Sequence, residues 1–278
     1  MIKAHSFRRL LYRILFFWLF VALLAYGVLC AYLYSAQRDL LYVTNKSTYR
    51  APDRAILPHI QEVTLYTPDG FELMAWYQPP KDGYKTILYL HGNATSISHL
   101  QSSFAHIVGG DYGLLAFSYR GYGASNGKPS EAGLFLDAET AVEFLHQHGI
   151  EPANIIVMGR SLGTGVAVHL ATLHPFHQTI LISPYTSITH VAQLRYPYVP
   201  ISWLLKDHFD SLTRAPHIIS PVCIFHGKKD TIIPEEQSAR LMDAILAPKE
   251  RIVYPDADHI HLDMPSILLA LRTQCPQR

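Results

Sequence analysis

A chain of 278 residues, about half apolar and 16% charged, can bury one large core, and α/β folds often use this much chain as a single domain. Its 23 basic and 22 acidic side chains leave a formal net charge of +1, which gives no electrostatic case for nucleic acid, since phosphate binding needs a concentrated basic face. Cys30, Cys223 and Cys275 are too few and too scattered for a disulfide framework or a zinc site, and the 16 histidines show no HExxH or clustered ligand spacing, so no metal is implied.

Residues 1–13 form a basic tail with Lys3, Arg8, Arg9 and Arg13. No charge then appears before Arg38. The apolar core, 14–34, is about 21 residues long, or roughly 31 Å as a helix, which matches the hydrocarbon thickness of a bilayer. Trp18 near one end and Tyr32 and Tyr34 near the other suit the two interfaces. A cleaved signal peptide is the rival reading, but Tyr34 stands two places before Ala36 where a small residue is needed. The basic tail places the N-terminus in the cytoplasm and the bulk of the chain outside it, in the periplasm if the host is a bacterium.

Residues 35–59 are polar and proline-bearing, and read as a linker. The remainder, 60–278, is one α/β domain. It starts with a hairpin, EVTLYTPDGFELMAWYQPP, turning at Pro68-Asp69-Gly70. Short apolar runs then alternate with helical patterns. TILYL, YGLLAF, NIIVMG, QTILIS, VCIFH and RIVY read as strands, and SHLQSSFAHIV and SEAGLFLDAETAVEFLHQHG as helices between them. Continuous apolar strands separated by amphipathic helices indicate a mostly parallel, doubly wound sheet covered on both faces. Residues 184–216 are too long and too proline-rich for a simple connection, and read as a short cap inserted over the sheet's carboxyl edge.

Sites in such sheets form beyond the carboxyl ends of the strands. The polar residues there are His91-Gly92-Asn93-Ala94, Arg120 to Gly123, Ser161, Asp230 and His259. In NIIVMGRSLGTGVAV a strand turns directly into a helix, and Gly159 and Gly163 relieve the crowding around a serine held at the tip. A serine hydroxyl needs a base to become a nucleophile, and the base needs a carboxylate to fix its tautomer. Ser161, Asp230 and His259 supply that set in chain order. His261 is a nearby rival for the base, and Asp207 and Asp210 for the acid, although neither aspartate follows a strand. Asp230 also suits the cap of the helix that follows it. His91 either shapes its loop or simply packs, and Arg120 and Tyr122 brace a neighbouring loop. Asn45-Lys46-Ser47 and Asn93-Ala94-Thr95 both fit a glycosylation sequon.

GRSLG matches the G-x-S-x-G nucleophile elbow, and the Ser…Asp…His order resembles that of the α/β-hydrolase superfamily. HGKKDTIIP is similar to its acid-bearing loop, DADHIHL to its histidine loop, and HGNA to its oxyanion loop. SYRGYGASNGKPSEAGLFLDAETAVEFL resembles a segment of its membrane-anchored serine esterase and acyl-protein thioesterase branch. The resemblance covers roughly residues 60 to 273. It implies that Ser161 attacks an acyl carbonyl, His259 moves the proton and Asp230 orients His259. It also implies that the Leu162 N–H and an N–H of Asn93 or Ala94 hold the oxyanion.

The expected function is a membrane-anchored serine hydrolase acting on esters or thioesters, with no cofactor. Its substrate is expected to be a small or lipid-like acyl compound, or an acylated protein, because the cap carries Tyr196, Tyr198, Trp203, Leu204 and Leu205. A serine peptidase and a non-catalytic binding protein of the same fold are the competing readings.

Overall fold

The structure is a computed structural model that describes residues 2–44 and 48–278, with side chains from residue 8 onward. The sequon at residues 45–47 and the Lys3 side chain lie outside the described residues.

The chain opens with one long helix, α1 (Ile2–Leu41). Its stretch Arg8–Leu41 is long and apolar enough to cross a membrane, and large side chains in its first half stand clear of protein, Phe16 at 72% and Trp18 at 63% exposure. The helix continues through residues 35–41, which the sequence assigns to the linker. The Gln37 and Arg38 side chains are engaged by the cap, so no break is needed there.

Eight strands form one sheet in the order β1-β2-β4-β3-β5-β6-β7-β8. They are β1 (Gln61–Tyr66), β2 (Glu72–Gln78), β3 (Thr86–Leu90), β4 (Gly113–Phe117), β5 (Ile155–Arg160), β6 (Gln178–Ile182), β7 (Val222–Gly227) and β8 (Lys249–Tyr254). The β1–β2 and β2–β4 pairs are antiparallel and the remainder parallel. The antiparallel part is the hairpin read around Pro68-Asp69-Gly70, where Gly70 takes the positive φ of 87° that the turn demands.

The central strands β3 to β7 are buried along their length, because both sheet faces are covered. Alternate residues divide between two cores. Leu88, Leu90, Val157, Leu181 and Ile224 face one side with α3 (Glu131–Gln147) and α4 (Leu162–Leu173). Ile87, Tyr89, Ile156, Met158 and Phe225 face the other with α2 (Gln101–Gly109) and α9 (Met264–Thr273). Period-two alternation in a continuously apolar strand thus feeds two separate interiors.

The segment after β6 holds α5 (Ile188–Arg195), α6 (Ile201–Leu204) and α7 (Ser211–Arg214). The helix α8 (Glu236–Ala244) joins β7 to β8. Two of the three cysteines are bonded to each other, Cys223 of β7 to Cys275 just past α9. The expectation that no disulfide framework exists therefore needs correction to a single bridge. The two residues are 52 positions apart, and only the packing of α9 against the sheet brings them together.

Candidate active site

The strand β5 runs straight into α4, and Ser161 is the single residue between them. Its backbone is strained, with φ 49° and ψ −117°. A Cβ at Gly159 would lie 2.4 Å from the Gly163 carbonyl oxygen, and one at Gly163 would lie 2.2 Å from that of Leu90. Only glycine fits at either place, so the serine is pushed up where strand and helix close against each other.

The structure brings Ser161, His259 and Asp230 together from the ends of β5, β8 and β7. His259 Nε2 is 3.0 Å from Ser161 Oγ, and His259 Nδ1 is 2.7 Å from Asp230 Oδ2. A carboxylate only accepts, so Nδ1 carries the proton and Nε2 is left to accept from the serine hydroxyl. The Asp230 side chain is fully buried. Burial raises its pKa, but hydrogen bonds from His226, His259 and the Ile233 N–H outweigh that and hold it well below the ordinary carboxylate range. Its other oxygen accepts from the N–H groups of Ile232 and Ile233 at 2.9 and 2.8 Å, which fixes the turn after β7; the helix that follows begins only at Glu236 with Glu235 at its N-cap, so Asp230 does not cap it.

The rival residues are engaged elsewhere. His261 is exposed and sits on Asp258 at 2.9 Å. Asp207 pairs with Arg38, and Asp210 caps α7 through the Thr213 N–H.

Around the position an oxyanion would occupy, the Ala94 N–H is already committed to Asn93 Oδ1 at 2.9 Å. That leaves the Asn93 N–H as the better partner for the Leu162 N–H, which heads α4 and has no intrahelical acceptor. The Asn93 side chain is a hub. Its Oδ1 also accepts from the Val43 N–H at 2.9 Å and the Tyr122 hydroxyl at 2.8 Å, while its Nδ2 donates to the Leu41 carbonyl at 2.6 Å. An amide so tied down is unavailable for glycosylation, so the Asn93-Ala94-Thr95 sequon reads as loop structure.

His91 is fully buried, with Nδ1 on the Gly92 carbonyl at 2.6 Å and Nε2 accepting from the Tyr119 N–H at 3.3 Å. Burial lowers its pKa to about 4, against a raising contribution from the Gly92 carbonyl. It is a neutral strut of the loop. Arg120 reaches Asp137 at 2.8 Å and Asp69 at 2.7 Å, which ties the loop after β4 to α3 and to the first hairpin.

Three contributions escape sequence reading. Arg160, beside the serine, donates to the carbonyls of His259 and Ile260 at 3.2 and 2.6 Å and so grips the histidine loop. His226, buried and four residues before Asp230, has Nε2 2.9 Å from the Ile233 carbonyl and 3.3 Å from Asp230 Oδ2; the spacing in HGKKD was the available signal. The attachment of Asn93 to the end of α1 left no local trace in the sequence.

The serine opens onto a cleft of about 830 Å³, lined by Asn93 and Leu162 on one side and by Ile188, Val191 and Ile232 on the other. A nucleophile and a base with a fixed tautomer beneath a mostly apolar cleft can attack a carbonyl, and the Leu162 N–H at the head of α4 is a donor available to the resulting oxyanion. Among the described residues no His, Cys, Asp and Glu side chains cluster as a metal site.

Comparison with known proteins bears on the fold family. A family model described as serine aminopeptidase, S33 (Hydrolase_4) matches residues 82–213. Uncharacterized protein Rv2307c of Mycobacterium tuberculosis is 37% identical over 86% of this chain and 85% of its own length. The human alpha/beta hydrolase domain-containing protein 17B is 33% identical over 64% of this chain and 62% of its own. Among solved structures, an alpha-beta hydrolase from Vibrio vulnificus superposes with a TM-score of 0.70 at 22% identity, covering 86% of this chain and 90% of the other. The esterase Pf2001 of Pyrococcus furiosus gives 0.64 at 22% identity, covering 81% and 96%.

Proposed function

This chain belongs to the α/β-hydrolase superfamily, and from that premise we propose that it is a serine hydrolase cleaving carboxylic ester or thioester bonds through an acyl-enzyme. Ser161 Oγ attacks the carbonyl carbon as His259 Nε2 takes its proton. Asp230 keeps the imidazole in register and stabilises its charge. The N–H groups of Leu162 and Asn93 hold the oxyanion, each worth roughly 3–4 kcal/mol in enzymes of this type. Collapse of the tetrahedral intermediate breaks the bond to the leaving group, which receives the proton from His259. Water then repeats the sequence on the acyl-serine and releases the acid. No cofactor is needed, because the protein supplies nucleophile, base and oxyanion donors.

The observation that carries this reading is the pair of contacts, 3.0 and 2.7 Å, linking Ser161, His259 and Asp230 beneath an apolar cleft. The serine aminopeptidase description of the matching family model favours amides as a second substrate class. Purified protein, with Ser161→Ala as blank, is to be offered p-nitrophenyl esters, acyl thioesters and aminoacyl anilides. Serine-dependent turnover of esters or thioesters is expected. Turnover of anilides alone would shift the assignment to a peptidase, and no turnover of any class would remove the enzyme.

The same reading makes α1 a membrane anchor, with the catalytic domain on the extracytoplasmic side. Arg8, Arg9 and Arg13 at its start support that orientation, and the Cys223–Cys275 bridge suits an oxidising compartment. Protease added to spheroplasts is expected to degrade the catalytic domain; its full protection would reverse the orientation.

A further inference from the structure

The cap and α1 are joined at points well beyond chance contact. The Tyr26 hydroxyl donates to the Tyr198 carbonyl at 2.8 Å. Gln37 donates to the Leu204 carbonyl at 3.0 Å and accepts from the Lys206 N–H at 2.6 Å. Arg38 holds Asp207 through two bonds, 2.8 and 3.1 Å, and the Lys206 ammonium lies 4.1 Å from the centre of the Tyr34 ring. Tyr26 stands eight positions before Tyr34, about 12 Å further along the helix. If 14–34 spans a bilayer, Tyr198 rests at a depth the sequence assigns to lipid. Tyr198 and Trp203 at the cap tip are each 88% exposed, as aromatic residues seated at a membrane interface are. Helix side chains that satisfy cap backbone groups are what a low-dielectric setting requires, since an unpaired group there costs several kcal/mol.

Between α1 and the cap runs a second cleft of about 240 Å³. Its walls are mostly aliphatic, with Leu33 and Leu40 from the helix and Ala192, Val199 and Leu204 from the cap, and Gln37, Arg195 and Tyr196 also line it. An apolar cavity of about 150 Å³ already accepts a benzene-sized hydrocarbon. Leu41, Ile188 and Val191 line both this cleft and the one above Ser161, so the two meet at those three side chains.

We propose that the helix–cap cleft is an acyl-chain subsite that receives the fatty acyl chain of a membrane lipid ester directly from the bilayer. The proposal rests on the serine-hydrolase reading and names its substrate class. Moving a chain through water exposes every methylene to solvent at a cost that grows with chain length, and a route along α1 keeps it in apolar surroundings until its carbonyl meets Ser161. Ser161 Oγ then bonds to the acyl carbon, the carbon–oxygen bond to the lipid alcohol breaks, and His259 returns the serine proton to that alcohol. Water, deprotonated by the same imidazole, releases the fatty acid and restores the serine.

The test uses the full chain in phosphatidylcholine nanodiscs. Ala192→Trp from the cap side and Leu33→Trp from the helix side each fill the cleft away from the serine. Each is expected to lower the kcat/KM ratio of palmitoyl to butyryl p-nitrophenyl ester by about tenfold or more, equivalent to ~1.4 kcal/mol. In parallel, Ser161→Ala protein in vesicles containing a diazirine-bearing palmitoyl phosphatidylcholine is expected to crosslink within residues 33–41 and 188–205. An unchanged ratio in both variants, or crosslinks confined to other segments, overturns the subsite while butyryl ester turnover keeps the hydrolase reading intact. Faster cleft-dependent turnover of an S-palmitoyl peptide than of the lipid ester overturns the lipid source. Absence of serine-dependent butyryl turnover in the wild type removes the hydrolase reading and the proposal with it.

Discussion

The strand ends and the helix–cap joint both assemble residues distant in sequence, but by different means. At the strand ends, the parallel register of β5 to β8 brings the loops after β5, β7 and β8 to one edge, and part-buried hydrogen bonds link the side chains there. At the joint, a few polar contacts hold a helix against a cap around an apolar gap, and Arg38 there is half exposed. The first arrangement gives rigid placement suited to chemistry. The second gives an adaptable wall suited to a hydrocarbon chain, which needs volume and no particular geometry. Asn93 belongs to both, because its side chain closes the end of α1 while the residue also lines the cleft above Ser161.

The sharpest way to break this division is at the strand ends. Ser161→Ala is expected to reduce kcat/KM on a short ester by about 10³–10⁶-fold, and Asp230→Asn by about 10⁴-fold, without loss of fold. Circular dichroism and initial rates check both together. A next, smaller effect concerns pH. The buried His91 titrates at about 4 against an ordinary 6.5, so the folded state binds its proton less readily than the unfolded chain. Its stabilising contribution is complete above pH 6.5 and is lost as pH falls toward 4, roughly 3 kcal/mol in all. Urea titrations at pH 7 and pH 4.5 are expected to show most of that loss in the wild type and a flatter dependence in His91→Gln.

Substitutions in the joint are expected to leave the chemistry standing and loosen the cap. Arg38→Met strands the buried Asp207 carboxylate without its guanidinium, a local cost of about 1–3 kcal/mol. Hydrogen exchange of residues 196–207 is expected to accelerate, while Ser161-dependent butyryl turnover changes less than threefold. The smallest effect returns to the strand ends. Arg160→Met frees the carbonyls of His259 and Ile260, and about a tenfold fall in kcat with little change in KM is expected for a positioning residue. A fall confined to KM would show that Arg160 touches substrate instead.

The strand ends were largely legible in the sequence because their signals are local. A glycine two places either side of a serine, an apolar strand before it and a helix after it describe a steric problem with one solution. The succession of apolar strands and the first hairpin could be read for the same reason. What stayed hidden depends on contacts across long separations. The Cys223–Cys275 bridge required knowing where α9 packs. The continuation of α1 through residues 35–41 was masked by polar side chains, Gln37 and Arg38, that read as a linker but are the ones the cap engages. The choice between Asn93 and Ala94 turned on a single side-chain bond, which no pattern of residue types encodes.

Hydrolysis by this chain requires the Ser161 hydroxyl to be a nucleophile activated by His259. The most direct measurement is covalent labelling of the full chain with a fluorophosphonate, followed by mass spectrometry of the peptide that contains the adduct. The adduct is expected on Ser161, absent in Ser161→Ala and slowed at least a hundredfold in His259→Ala. Labelling at another residue, or equal labelling rates in wild type and His259→Ala, would contradict it.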